Sequence, residues 1–296
     1  MTKKTVIAFF LILIVVSSFC ACGAWSRFRT SDQKYLKQFE KKGLYVQIHY
    51  DSILNKKLRH IHSQPFDSLL PTIYFVHGAP GSSDNFTKYL TDSLLNKKAN
   101  LISVDRLGYG FSEFGKAYTD ITQQAHHLLP LLERYSSKIQ PGLLVGWSYG
   151  GPIVAKMALD LPDHVLGVVL LAPALNPDAE RYFKIGRLAE YKLTRPIVPK
   201  ALVVAQSEKR EHSQSLQNLS HQWKNLQPPI LMVHGSRDKI VPYLENIRFA
   251  KKYFPQKMLR IIPIHEKGHV FPISRADQVI TLITNHLDSL MNPLIK

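Results

Sequence analysis

Cysteine is nearly absent from this chain. The 296 residues include two, Cys20 and Cys22, both inside an apolar N-terminal segment. The remainder therefore has no thiol for a disulfide, a thiolate metal site or a cysteine nucleophile. Acidic residues are scarce as well: 22 Asp and Glu stand against 38 Lys and Arg, a formal net charge of +16. The basic residues are scattered rather than gathered into one run, as on a solvated basic surface; the partners such a balance favours are an anionic membrane or an acidic substrate. No nucleic-acid motif accompanies them, and no nucleic-acid partner is expected. There is no low-complexity tract and no period of roughly 20 to 50 residues, which excludes a solenoid or a linker array. With 45% hydrophobic residues the chain is too apolar for disorder and is long enough for one large domain carrying an insertion.

The N-terminus reads MTKKTVIAFFLILIVVSSFCACGAW. Two lysines, an apolar run from Val6 to Phe19 and small residues around the cysteines predict a signal peptide or membrane anchor over 1–24, followed by a polar, basic spacer over 25–43. Cleavage before Cys22 would make it the lipid-bearing first residue of a bacterial lipoprotein. Phe19 and Cys20 stand where such a signal has an aliphatic and a small residue, so an uncleaved signal anchor is the alternative. Either way the chain is expected to be exported and to hang from a membrane.

Beyond the spacer, LYVQIHY (Leu44 to Tyr50) and KKLRHIHS (Lys56 to Ser63) alternate like two antiparallel strands. Six near-continuous apolar runs then follow, among them TIYFVHG from Thr72, GLLVGW from Gly142 and PILMVHG from Pro229. Runs of this kind fit strands buried on both faces, as in a parallel sheet covered by helices. Helical spacing fills most of the intervals: 85–95, 120–138, 149–161, 243–254 and 275–291. The order predicts an α/β fold with a mostly parallel eight-stranded sheet flanked by helices. One interval, 176–227, is too long for a loop and predicts a helical cap inserted after the sixth strand. The core would then comprise 44–175 and 228–296. Within the cap, Tyr182, Phe183, Ile185, Leu188 and Tyr191 are spaced to form one apolar and aromatic helical face.

The chemistry is carried by GWSYG, residues 146–150. A GxSxG placed where a buried strand ends and a helix begins is the setting of a nucleophile elbow. Gly146 and Gly150 leave room for the turn, and Ser148 presents its hydroxyl at the corner. Serine needs a base. His269, after Gly268 in the loop that follows the last strand, is the leading candidate, with His265 as competitor. Asp238, in the turn after the seventh strand, would orient that histidine; Asp178, after the preceding strand, is the rival acid, and either keeps the order serine, acid, histidine. The loop HGAPG would turn the backbone N–H of Ala79 toward the elbow, where with that of Tyr149 it would complete an oxyanion hole; His77 and Gly78 would shape that loop.

Taken in order, HGAPG, DRLGYGFS (Asp105 to Ser112), GWSYG, HGSRDKIVP and GHVFP resemble the α/β-hydrolase superfamily over nearly all the chain from Leu44. Members that open epoxides or remove halogens carry aspartate at the elbow; Ser148 here implies ester, amide or carbon–carbon hydrolysis. The expected function is a membrane-tethered serine hydrolase acting on a small-molecule or short-peptide acyl substrate, with no metal or organic cofactor. Two alternatives stand beside it. One is a serine aminopeptidase of the proline iminopeptidase type, which would need Asp178, Glu180, Glu190, Glu208 or Glu211 in the pocket to hold an ammonium group. The other is a non-catalytic binding module on the same fold.

Overall fold

The structure, a computed structural model, describes residues 28–63, 65–182 and 184–292. The expected export segment with Cys22, and Phe183 in the cap, lie outside the described residues. Eight strands form one sheet in the order β1-β2-β4-β3-β5-β6-β7-β8. β1 (Val46–Ile53) and β2 (Lys56–Ser63) make an antiparallel hairpin. Its two turn residues, Leu54 and Asn55, both have positive φ, as a tight turn matched to strand twist requires. β2 runs antiparallel to β4 (Asn100–Val104). From β4 onward, β3 (Thr72–Val76), β5 (Gly142–Trp147), β6 (Val165–Leu171), β7 (Ile230–Gly235) and β8 (Leu259–Ile264) are parallel.

Two cores explain the unbroken apolar runs. Alternate strand residues point to opposite faces, so Tyr74, Val76, Leu144, Leu170 and Met232 pack with helices α2 (Ile121–Tyr135), α3 (Gly150–Asp160) and α5 (Tyr243–Tyr253). Their neighbours Ile73, Phe75, Leu143, Val169 and Leu231 pack on the other side with α1 (Asp32–Glu40) and α6 (Ala276–Met291). Both faces are covered, so no polar residue is needed between apolar ones.

Three segments differ from the sequence reading. The stretch read as a spacer contains α1, which buries Tyr35 and Phe39, one turn apart, and anchors through an ion pair of Asp32 with the buried Arg59 at 2.9 Å. Its many lysines hid a two-residue apolar stripe. The helix expected over 85–95 is broken into short turns, because Asp92 is extended and its side chain accepts the Leu95 N–H, starting a new helix at Ser93. The cap follows β6 and contains the long helix α4 (Lys200–Ser220). Before it, however, 3-10 turns at Lys184–Ala189 and Arg195–Ile197 replace the expected α-helical face. Pro196 and Pro199 keep the stretch that leads into α4 from continuing an α-helix; Tyr182 and Tyr191 are each 58% exposed and Leu188 46%.

Buried histidines away from the serine elbow give the fold a pH dependence. Burial lowers His60 to about 4 despite the Asp51 carboxylate at 3.2 Å. Burial also lowers His127 and His286 to about 4, helped by Lys56 and Arg260 respectively. In the unfolded chain these rings bind protons near 6.5. The unfolded state therefore gains protons first as pH falls, and stability present above about 6.5 is lost progressively toward 4. The melting temperature should fall by several degrees between about pH 7 and pH 4.5. Neither ring nitrogen of His127 has a partner among the described residues, so His127→Leu should flatten part of that slope in a thermal-melt series. An unchanged slope would rule this histidine out as a source.

Candidate active site

β5 ends at Trp147 and α3 begins at Gly150, leaving two residues to reverse the chain. Ser148 occupies that corner at φ 54, a left-handed conformation rare for a residue with a side chain. The surroundings compel it. A Cβ at Gly146 would collide with the carbonyl of Gly150, and one at Gly150 with the carbonyl oxygen of Val76 on β3. The turn is tied down by the Ser148 N–H donating to the Leu171 carbonyl of β6 at 2.9 Å. Strand, turn and helix approach so closely that only glycine fits on either side, and the serine hydroxyl has one way out, over the carboxyl edge of the sheet.

There the Ser148 hydroxyl donates to His269 Nε2 at 2.9 Å, and His269 Nδ1–H donates to Asp238 Oδ2 at 2.7 Å. Asp238 is 6% exposed. Its Oδ1 accepts the backbone N–H groups of Ile240 and Val241, each at 2.9 Å. A second histidine, His234 on β7, reaches Oδ2 through Nε2 at 3.2 Å and the Val241 carbonyl at 3.0 Å. Both partners are acceptors, so the proton sits on Nε2. Burial alone would raise the Asp238 carboxyl; the hydrogen bonds from His234 and His269 reverse this and hold it well below the usual carboxylate range. The rivals are elsewhere: His265 is exposed in the turn after β8, and Asp178 is exposed with its own N–H bonded to Asn176.

The HGAPG loop is fixed from within. His77 Nδ1–H donates to the Gly78 carbonyl at 2.7 Å, while Nε2 accepts the Arg106 N–H at 3.0 Å. Burial, then the neighbouring Arg106 charge, push this imidazole well below its ordinary value, so it stays neutral and structural. Gly78 lies directly against the elbow, where a Cβ would stand 3.0 Å from that of Ser148. Among the described residues, neither the Ala79 N–H nor the Tyr149 N–H donates to a protein acceptor. Ala79 follows Gly78 and Tyr149 follows Ser148, two residues in contact at the elbow, and a developing oxyanion requires two such unengaged donors.

Arg106 was not singled out by sequence reasoning, although its motif was. It is fully buried, and its guanidinium meets both Glu208 oxygens, at 2.7 and 3.2 Å. It also donates to the carbonyls of His77 at 2.9 Å and Gly78 at 3.1 Å. Tyr109 donates to the same Glu208 at 2.6 Å, and the guanidinium lies over the Tyr149 ring at 4.7 Å. Helix α4 of the cap is thereby bolted to the loop that carries Ala79. The pairing partners stand 102 residues apart, and no local pattern could have joined them. Two further cap acids are engaged as well. Glu180 pairs with His212 at 2.6 Å and with Lys209, and Glu190 accepts from the Gln206 amide at 2.7 Å. The His212 ring stacks on Tyr149 at 4.5 Å.

Comparison with known proteins agrees with this fold. The family model described as the alpha/beta hydrolase fold matches residues 71–189. Over 250 residues the chain is 24% identical to the dihydrolipoyllysine-residue acetyltransferase component of the acetoin cleaving system of Cupriavidus necator, covering 73% of this chain and 63% of that protein. It is 32% identical over 107 residues to an sn-1-specific diacylglycerol lipase of Mus musculus, 36% of this chain and 33% of the relative. These matches thus span less than two thirds of either relative. Among solved structures, a bacterial membrane phospholipase A superposes with a TM-score of 0.64 at 19% identity, over 98% of this chain and 100% of the other; that similarity speaks to the fold. With its eight-stranded, mostly parallel sheet flanked by helices and its serine elbow, the chain has the α/β-hydrolase fold.

Proposed function

We propose that this protein is a membrane-tethered serine hydrolase that cleaves a carboxylic ester through an acyl-enzyme on Ser148. The observation that carries the reading is the continuous relay from Ser148 through His269 to Asp238, at 2.9 and 2.7 Å. As Ser148 Oγ attacks the carbonyl carbon, His269 Nε2 takes the hydroxyl proton and Asp238 balances the imidazolium. The N–H groups of Ala79 and Tyr149 receive the oxyanion. His269 then gives its proton to the departing alcohol. In the second half, water loses a proton to His269 and attacks the acyl group, releasing the acid and restoring Ser148. None of these steps calls for a metal or an organic cofactor.

Ester cleavage is favoured over aminopeptidase action because the cap carboxylates are already paired. Glu208, Glu180 and Glu190 are held by Arg106, by Lys209 and His212, and by Gln206. Asp178 and Glu211 are exposed to solvent. An ammonium group would find no unpaired buried carboxylate among them. The lipase-type relatives support the same choice. A binding module would have no use for a relay this complete, with two free donors beside it. Tethering is assigned to the 1–24 segment, through a lipidated Cys22 or an uncleaved anchor.

Ser148→Ala should lower hydrolysis of a short-chain p-nitrophenyl ester by several orders of magnitude, abolish labelling by a fluorophosphonate and leave the melting temperature within a few degrees. Retained turnover in the purified variant would sink the mechanism. On the same substrates, proline p-nitroanilide should be cleaved at least a hundredfold more slowly than the ester; the reverse order would favour the aminopeptidase.

His234 gives a finer test. Removing its N–H with His234→Phe leaves more negative charge on Asp238, which then holds the His269 proton more tightly. The acidic limb of the kcat/KM profile should move upward by a few tenths of a pH unit. His234→Gln, which keeps a donor, should restore it. Equal shifts in both variants would point to packing instead.

A further inference from the structure

Twenty large hydrophobic side chains are exposed among the described residues, and five of them lie within the twenty residues 181–200 of the cap. That is a quarter of the exposed apolar set in a small fraction of the chain, so the clustering calls for a cause. Leu193, at 82%, and Tyr191, at 58%, are the most open, with Tyr182. Ile240, two residues after Asp238, and Val270, the residue after His269, are 42% and 50% exposed and lie at the same edge of the sheet.

Cations are interleaved with these side chains. Arg181, Arg187, Lys192, Arg195 and Lys200 are exposed. Glu190, which accepts from Gln206, is the one acidic residue between 181 and 200. Among the described residues, Arg187, Lys192 and Arg195 form no ion pair. The segment also crosses the candidate site from side to side. At its start the Arg181 guanidinium donates to the Lys239 carbonyl, adjoining Asp238. Just beyond its end, Ala201 and Val204 pack with Tyr109 and against Ala79 of the oxyanion loop.

We propose that this face of the cap docks on an anionic bilayer, with the apolar and aromatic side chains among the acyl chains and the cations against lipid headgroups. Charge decides the occupant. A second copy would bring an equally cationic face to this one, and the N-terminal segment of this chain contributes lysines and no acid. An anionic lipid surface complements both the apolar and the cationic parts, and Tyr beside Arg and Lys is the composition that settles at such an interface. This contact is separate from the N-terminal tether and needs no turnover. If the serine-hydrolase reading holds, it turns the mouth of the site toward lipid, so that acyl esters would enter from the bilayer.

The test is hydrogen exchange, read by mass spectrometry, on the full chain reconstituted into vesicles of phosphatidylcholine alone or with about one third phosphatidylglycerol. In the anionic vesicles, amides across 186–198 should exchange at least about fivefold more slowly, while the loop bearing Ile139, itself 97% exposed, stays unchanged. The triple variant Arg187→Glu, Lys192→Glu, Arg195→Glu should lose the protection, with exchange in β5 and α3 unaltered as proof of folding. Equal exchange in both vesicle types overturns the proposal. So does protection that appears in detergent and grows with protein concentration, which would identify a second copy as the occupant. Exchange is indifferent to catalysis: an inactive Ser148→Ala chain should give the same pattern, and loss of the pattern would leave the hydrolase reading standing.

Discussion

The close approach of β3, β5 and α3 around Ser148 is the constraint on which the rest of this structure depends. Gly146 and Gly150 permit a contact in which any side chain would strike a neighbouring backbone carbonyl. The turn between them then has no relaxed conformation for Ser148, which sits at φ 54. Strain of this kind costs about 1–3 kcal/mol and persists only where the surroundings over-determine it. Here they do, because both faces of the sheet are buried and β5 is bonded to β3 and β6 on either side. The reward is positional: a hydroxyl held at the carboxyl edge beside the start of a helix.

The edge that receives this hydroxyl is assembled from distant pieces. β7 supplies His234 and, in its following turn, Asp238; the loop after β8 supplies His269. Each arrives at the same end of the sheet because parallel strands all finish there. The acid is the most heavily satisfied group of the three, with two amides on one oxygen and two imidazoles on the other. That saturation keeps the carboxylate charged in a buried setting and fixes the imidazole that acts on Ser148. On the opposite side, the buried Arg106–Glu208 pair joins the cap to the oxyanion loop. Breaking such a pair typically costs 3–5 kcal/mol, since the partner is left buried and charged. The cap is therefore a rigid neighbour of the site along α4. Toward Arg181 to Lys200 it becomes an open, cationic and apolar surface.

Much of this was legible from residue order. Six strands follow from apolar runs that a two-faced core requires and the first two from alternation, and the ends of the six fall within a few residues of where glycine, aspartate and proline punctuate the sequence. GWSYG announced itself because its spacing has one physical use when flanked by a strand and a helix. His269 and Asp238 could be ranked above His265 and Asp178 from loop position alone, and the geometry brings the first pair together and leaves the second pair exposed. The failures have equally specific causes. Helix α1 was missed because Tyr35 and Phe39 are two apolar residues among lysines, and their burial depends on a sheet face built from residues far along the chain. The cap stretch around Tyr182 to Tyr191 had helical spacing, yet spacing says nothing about which partner would cover a side chain, and Tyr182, Leu188 and Tyr191 stay exposed among the described residues.

What the sequence determined by itself is therefore whatever depends on short-range sterics and on period: the parallel sheet, the elbow, the serine at its corner and the loops able to hold an acid and a base. Only the tertiary structure decided the partnerships. Arg106 chose Glu208, His234 joined His269 on Asp238, and Glu180 and Glu190 were taken by Lys209, His212 and Gln206. These choices turn on distances of about 3 Å between groups separated by as few as four and as many as 102 residues, and a charged side chain carries no local mark of the partner it will meet.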